Sequence, residues 1–97
     1  MTHRLAPQAR VELFNIWNYI FEESGNVAAA DGVIDAVTER FYLLSQYPRL
    51  GRSRDDLRAG LRSFAVGEYV IIYAIEDEDV EILHVFHGRQ DIEGWLG

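Results

Sequence analysis

From Gly60 to Asp91 the chain reads GLRSFAVGEYVIIYAIEDEDVEILHVFHGRQD, and the placing of its apolar residues decides the fold. Three apolar runs follow one another, Leu61–Val66, Tyr69–Ile75 and Val80–Phe86. Gly67-Glu68 separates the first two and suits a two-residue hairpin with Gly at a positive φ. The acidic stretch Glu76 to Asp79 separates the second pair, and Asp77-Glu78-Asp79 suits a second, longer turn. The pattern predicts an antiparallel meander. In its central strand Tyr69, Ile71, Tyr73 and Ile75 share one face, while Val70, Ile72 and Ala74 share the other. A sheet apolar on both faces needs a cover for each.

Upstream, the period changes from two to 3.6. His3 to Ala6 has room for a short edge strand. Pro7 fits the first turn of a helix, where its missing N–H is not needed. From Gln8 to Glu23, Leu13, Ile16, Trp17 and Ile20 fall on one helical face, widened by Val11, Phe14 and Phe21. Gly25 suits a left-handed C-terminal cap. Asn26 suits the N-cap of a second helix, in which Ala30, Ile34, Val37, Phe41 and Leu44 again share a face. Tyr47 precedes Pro48, which disfavours helical geometry and ends that helix. Pro48 to Gly60 reads as a connection rich in Arg, Asp and Gly. Asp91 suits a cap for a terminal turn, Ile92 to Leu96. The order is β-α-α-β-β-β. This is an α+β fold in two layers, with a helical hairpin packed on one face of an antiparallel sheet.

Ninety-seven residues make one domain, residues 1–97, with a single core. Twelve aromatic residues argue against disorder. The absence of Cys removes disulfides and thiolate metal sites and fits a reducing cytoplasm. Met1 to Gln8 does not read as a signal peptide, and no apolar stretch approaches membrane-spanning length. A net charge of -7 disfavours broad contact with nucleic acid. All nine basic residues are Arg, and Arg49, Arg52, Arg54, Arg58 and Arg62 lie close together in sequence. Such a patch suits carboxylates, which guanidinium groups grip in bidentate fashion. No phosphate loop, nucleophile context or metal-ligand spacing is visible, so neither a metal nor a cofactor is expected.

Taken in order, several segments resemble the ParE branch of the RelE/ParE toxin superfamily. They are Ile16-Trp17-Asn18-Tyr19-Ile20, Tyr47-Pro48-Arg49-Leu50-Gly51-Arg52, Gly60-Leu61-Arg62-Ser63-Phe64, Val66 to Tyr73, and Val80 to Ile92. Together they cover nearly the whole chain. Ala6-Pro7 departs from the Ser-Pro that often opens the first helix there. The resemblance implies the RelE/ParE fold and the toxin half of a type II toxin–antitoxin pair. It implies inhibition of DNA gyrase by binding, and silencing by a small antitoxin of the ParD or a similar type. Operator DNA would be met only through that antitoxin, and no membrane would be involved.

Two site readings follow. RNA cleavage of the RelE kind needs acid, base and cations around an in-line phosphoryl transfer, and Arg62 and His87 are the candidates for it. The basic residues that would hold RNA are mostly missing, so this is the alternative, beside a degenerate toxin kept only as antitoxin partner or co-repressor. The binding reading places the antitoxin on Arg49, Arg52, Arg54, Leu57, Arg58, Arg62, Phe64, Ile71 and Tyr73. Ile71 and Tyr73 belong there if their sheet face is an open groove. Contact with the target is assigned to His87, Arg89, Trp95 and Leu96.

Overall fold

The computed structural model describes residues 2–88. Its elements run β1 (His3–Leu5), α1 (Pro7–Ser24), α2 (Val27–Gln46), β2 (Arg52–Ser53), β3 (Leu61–Val66), β4 (Tyr69–Glu76) and β5 (Asp79–His87). Pro7 is the first helical residue of α1, and Ala6 before it supplies no side-chain cap. Gly25 ends α1 at φ 65°, its N–H donating to the Phe21 carbonyl. Asn26 caps α2 by accepting the Ala29 N–H at 3.2 Å. Tyr47 closes α2 before Pro48.

The five strands form one sheet in the order β1-β5-β4-β3-β2. The expected meander is there: β3 pairs antiparallel with β4, and β4 with β5. The sheet as a whole is mixed, however, because β1 lies parallel to β5, with His3 opposite Val80 and Leu5 opposite Ile82. The chain leaves β1 through the helical hairpin, which crosses one face, and reaches β1's side again only on the last strand. Two further details differ from the sequence reading. The β4–β5 turn is tighter than expected: Asp77 and Glu78 both take positive φ, of 54° and 88°, as the hairpin-forming mirror-image turns require. Within the segment read as connection, Arg52–Ser53 pairs with β3 as a two-residue edge strand, too short to show a period.

The helices cover the face bearing Ile71, Tyr73, Val80, Ile82 and Val85, which pack with Ala9, Val37, Phe41 and Leu44. This overturns the expected groove on that face. Ile71 and Tyr73 are 0% exposed, so they are core residues and lie beyond a partner's reach. The opposite face carries a smaller cluster of Leu61, Ile72 and Phe86. Its cover comes from the 54–60 loop, which lays Leu57 against it. Leu57 is therefore partly spent on the chain's own core.

A buried carboxyl side chain adds a polar tie between the layers. β1 stops pairing at Ile82, where the Ala6 N–H still reaches the Ile82 carbonyl at 2.9 Å. Beyond it the outer edge of β5 would be bare. Glu12 of α1 fills the gap: its buried carboxylate accepts the Val85 N–H at 2.9 Å and lies 3.4 Å from His84 Nδ1. A helix side chain thus acts as a strand partner. Glu12→Ala leaves the Val85 donor unpaired and is expected to destabilise the domain by about 1–3 kcal/mol. Glu12→Gln keeps an acceptor and should lose less. Urea denaturation of the two variants checks this, and equal losses would refute it.

Candidate functional site

The residues named from sequence fall into three groups once folded. The first surrounds the turn from Tyr47 to Gly51. Tyr73, buried on β4, donates its hydroxyl to the Pro48 carbonyl at 2.7 Å and accepts the Gly51 N–H at 2.8 Å. Burial pushes this phenol above its ordinary value of 10, while the Gly51 and Arg62 contacts pull the other way. Arg62, opposite Tyr73 on β3, donates to the Gly51 carbonyl at 2.8 and 3.1 Å and to the Arg49 carbonyl at 3.2 Å. The Leu50 N–H closes the turn onto the Tyr47 carbonyl at 2.9 Å. Two side chains from adjacent strands therefore pin one turn to the sheet.

Gly51 is the residue that permits the close approach. A Cβ built there would lie 2.3 Å from Tyr73 Oη and 2.8 Å from the Ser63 carbonyl oxygen. The turn is fixed from inside and presents Tyr47, Arg49, Leu50 and Arg52 outward, all exposed. Beside it opens a concavity of about 570 Å³, lined by Tyr47, Pro48, Arg49, Leu50, Ile75 and Glu78 among others.

The arginine cluster thus divides by role. Arg62 serves the turn's own backbone, so its guanidinium is an internal fastener. Arg54 grips both carboxylate oxygens of Asp56 at 3.1 Å, which holds the Asp56 carboxyl below its ordinary 3.8. Arg49, Arg52 and Arg58 remain exposed. Phe64, opposite Ile71, packs against the helix-side core and is only partly accessible.

His87 makes the second group. Its ring meets Tyr69 edge-on at 5.6 Å, and Nε2 lies 3.7 Å from a Glu68 carboxylate oxygen. It lines a separate concavity of about 790 Å³ between α1 and the adjoining ends of β4 and β5. Arg62 and His87 are not brought together. Arg62 stands opposite Tyr73 and His87 opposite Tyr69, on strands either side of β4. Four residues along a strand span about 13 Å, and two strand spacings add nearly 10 Å sideways. His84 is a packed strand residue beside Glu12; burial, ahead of any charge, moves its pKa below the ordinary 6.5.

The third group, Arg89, Trp95 and Leu96, lies outside the described residues. Among the described residues no cluster of His, Asp or Glu is placed to hold a metal ion, and no helix is long and apolar enough to cross a membrane.

Sequence reading missed two positioning residues. On a face taken as open, Tyr73 reads as a surface contact, whereas a phenol on the covered face needs a hydrogen-bond partner. Glu12 carried a visible signal, as a carboxylate spaced between Ala9 and Ile16 on the apolar side of α1.

Comparison with known proteins agrees with this architecture. The family model for the ParE toxin of the type II toxin–antitoxin system, parDE, matches residues 4–92. Toxin ParE3 of Caulobacter vibrioides is 40% identical over 75 residues, covering 77% of this chain and 75% of that protein. Toxin ParE1 of the same organism is 32% identical over 97 residues, covering 98% and 97%. A chain of the toxin–antitoxin complex RelBE2 from Mycobacterium tuberculosis superposes with a TM-score of 0.64 at 32% identity, covering 89% of this chain and 95% of that one. A chain of the chromosomal ParDE system of P. aeruginosa shares the fold, with a TM-score of 0.78 at 17% identity over 90% and 95%. Family match, close relatives and fold converge, and the chain belongs to the ParE family of type II toxin–antitoxin toxins.

Proposed function

We propose that this toxin acts by binding: it inhibits DNA gyrase, and a cognate antitoxin neutralises it in the cytoplasm. One observation supports binding over RNA cleavage. Arg62, the cation a phosphoryl transfer would need, has its guanidinium committed to the Gly51 and Arg49 carbonyls, far across the sheet from His87. A chain with a net charge of -7 and no Lys is also poorly suited to holding an RNA backbone. The antitoxin partner is supported by the solved relatives, which come from toxin–antitoxin systems. Contact with operator DNA would run through that antitoxin. Purified toxin added to gyrase, relaxed plasmid and ATP should abolish supercoiling or accumulate linear plasmid. Normal supercoiling at excess toxin would refute gyrase as the target, and codon-dependent mRNA cuts on ribosomes would restore the nuclease reading.

A further inference from the structure

We infer that the turn from Tyr47 to Arg52 is the anchoring site for an acidic segment of the neutralising antitoxin, one that inserts a large apolar side chain beside Leu50. This rests on the antitoxin reading above and locates its contact. The first support is rigidity combined with exposure. Tyr73 and Arg62 fix the backbone of this turn through Pro48, Arg49 and Gly51. Yet Tyr47 and Leu50 stand 61% and 50% exposed. Single exposed apolar residues are ordinary. Here the pair flanks a concavity of about 570 Å³ that Ile75 also lines. A recess with apolar walls and a backbone already ordered loses little entropy on binding.

The second support is charge. Arg49 and Arg52 bracket Leu50 and Gly51, and among the described residues neither lies within ion-pair distance of a carboxylate, whereas Arg54 pairs with Asp56 and Arg62 has its donors committed to backbone carbonyls. Arg52 is close enough to Asp56 to help lower that carboxyl, so Arg49 is the less compensated of the two on a chain of net charge -7. Guanidinium groups fit carboxylates in bidentate fashion. Glu78 lines the same concavity and repels a carboxylate from its side. The incoming acid is thereby directed to Arg49, with its apolar neighbour over Ile75 and Leu50. Nucleic acid fits less well, since two cations do not offset the overall negative charge.

The test uses this toxin's purified full-length cognate antitoxin, with binding measured by calorimetry. Leu50→Asp and Arg49→Glu should each weaken binding at least about thirtyfold, as loss of an interface anchor does. Phe14→Asp, at an exposed position on α1, should change it less than about threefold. Folding of every variant is checked by its melting curve. Should Leu50→Asp not fold, Leu50→Ser and Arg49→Glu carry the test. Hydrogen exchange should show new protection at residues 47–52 in the complex. Failure of the wild-type toxin to bind at all would remove the antitoxin reading itself. Tight wild-type binding, with both turn variants unchanged and protection elsewhere, would overturn this site alone. So would a duplex oligonucleotide or a second copy of the chain binding in a Leu50-dependent way.

Discussion

Gly51→Ala is expected to destabilise the domain by about 3 kcal/mol or more, because the new methyl has nowhere to go. Its carbon would lie 2.3 Å from Tyr73 Oη, 2.7 Å from Tyr73 Cε1 and 2.8 Å from the Ser63 carbonyl. The phenol cannot swing aside, because Tyr73 is fully buried among α2 and strand residues. The Ser63 carbonyl is sheet backbone, since Ser63 pairs with Arg52 and Ile72. Only the turn can move. Moving it breaks the hydrogen bonds to Pro48, Arg49 and Gly51 and leaves polar groups of Tyr73 and Arg62 unsatisfied. In a domain of this size the shift in melting temperature should exceed about 10 °C. Tyr73→Phe alone removes the hydroxyl, orphans the Gly51 donor and the Pro48 acceptor, and should cost less, about 2 kcal/mol. The double variant provides the sharper reading. With the hydroxyl gone the shortest contact disappears, so the two losses should fall short of their sum by at least about 0.5 kcal/mol. Strict additivity would show that the turn has already moved and that the clash is not the cause.

The same staple explains what was legible in the sequence and what was not. Strand runs and helix faces repeat over many residues, so β3, β4, β5 and both helices could be read within a residue or two of their ends. Pro7, Gly25 and Pro48 marked ends because each acts through its own backbone geometry. Pairing between β1 and β5 joins residues more than seventy positions apart, and no local pattern encodes it. The face chosen by the helices was illegible for a different reason. Both faces of β4 are apolar, and alternation cannot say which one a helix will cover. Tyr73 and Ile71 read as groove residues on that account. The fastening role of Arg62 is illegible because a guanidinium that serves a neighbouring carbonyl looks, in sequence, like one that awaits a ligand. The cluster from Arg49 to Arg62 is accordingly two populations: fasteners that shape the turn, and exposed cations that the turn presents.

Ile71→Asp and Leu50→Asp, the same chemical change on two apolar residues, should therefore give opposite outcomes. Ile71 is 0% exposed, between α2 and the central strands. A carboxylate there has no partner. Burying an unpaired charge costs more than about 4 kcal/mol, even after the group neutralises itself by taking up a proton. That is a large share of the roughly 5–15 kcal/mol of stability a domain possesses. The variant is expected to be unfolded or molten near neutral pH, with loss of near-ultraviolet circular dichroism and of any antitoxin binding. Leu50 is half exposed on a turn whose backbone is held by other residues. Its carboxylate stays in water beside Arg49 and Arg52, and stability should change by less than about 0.5 kcal/mol. Weakened binding by a folded Leu50→Asp therefore reports on the surface, whereas the same result from Ile71→Asp reports only on the core. A folded, cooperative Ile71→Asp protein would mean that the helices do not cover this face, and the two-layer arrangement described above would have to be inverted.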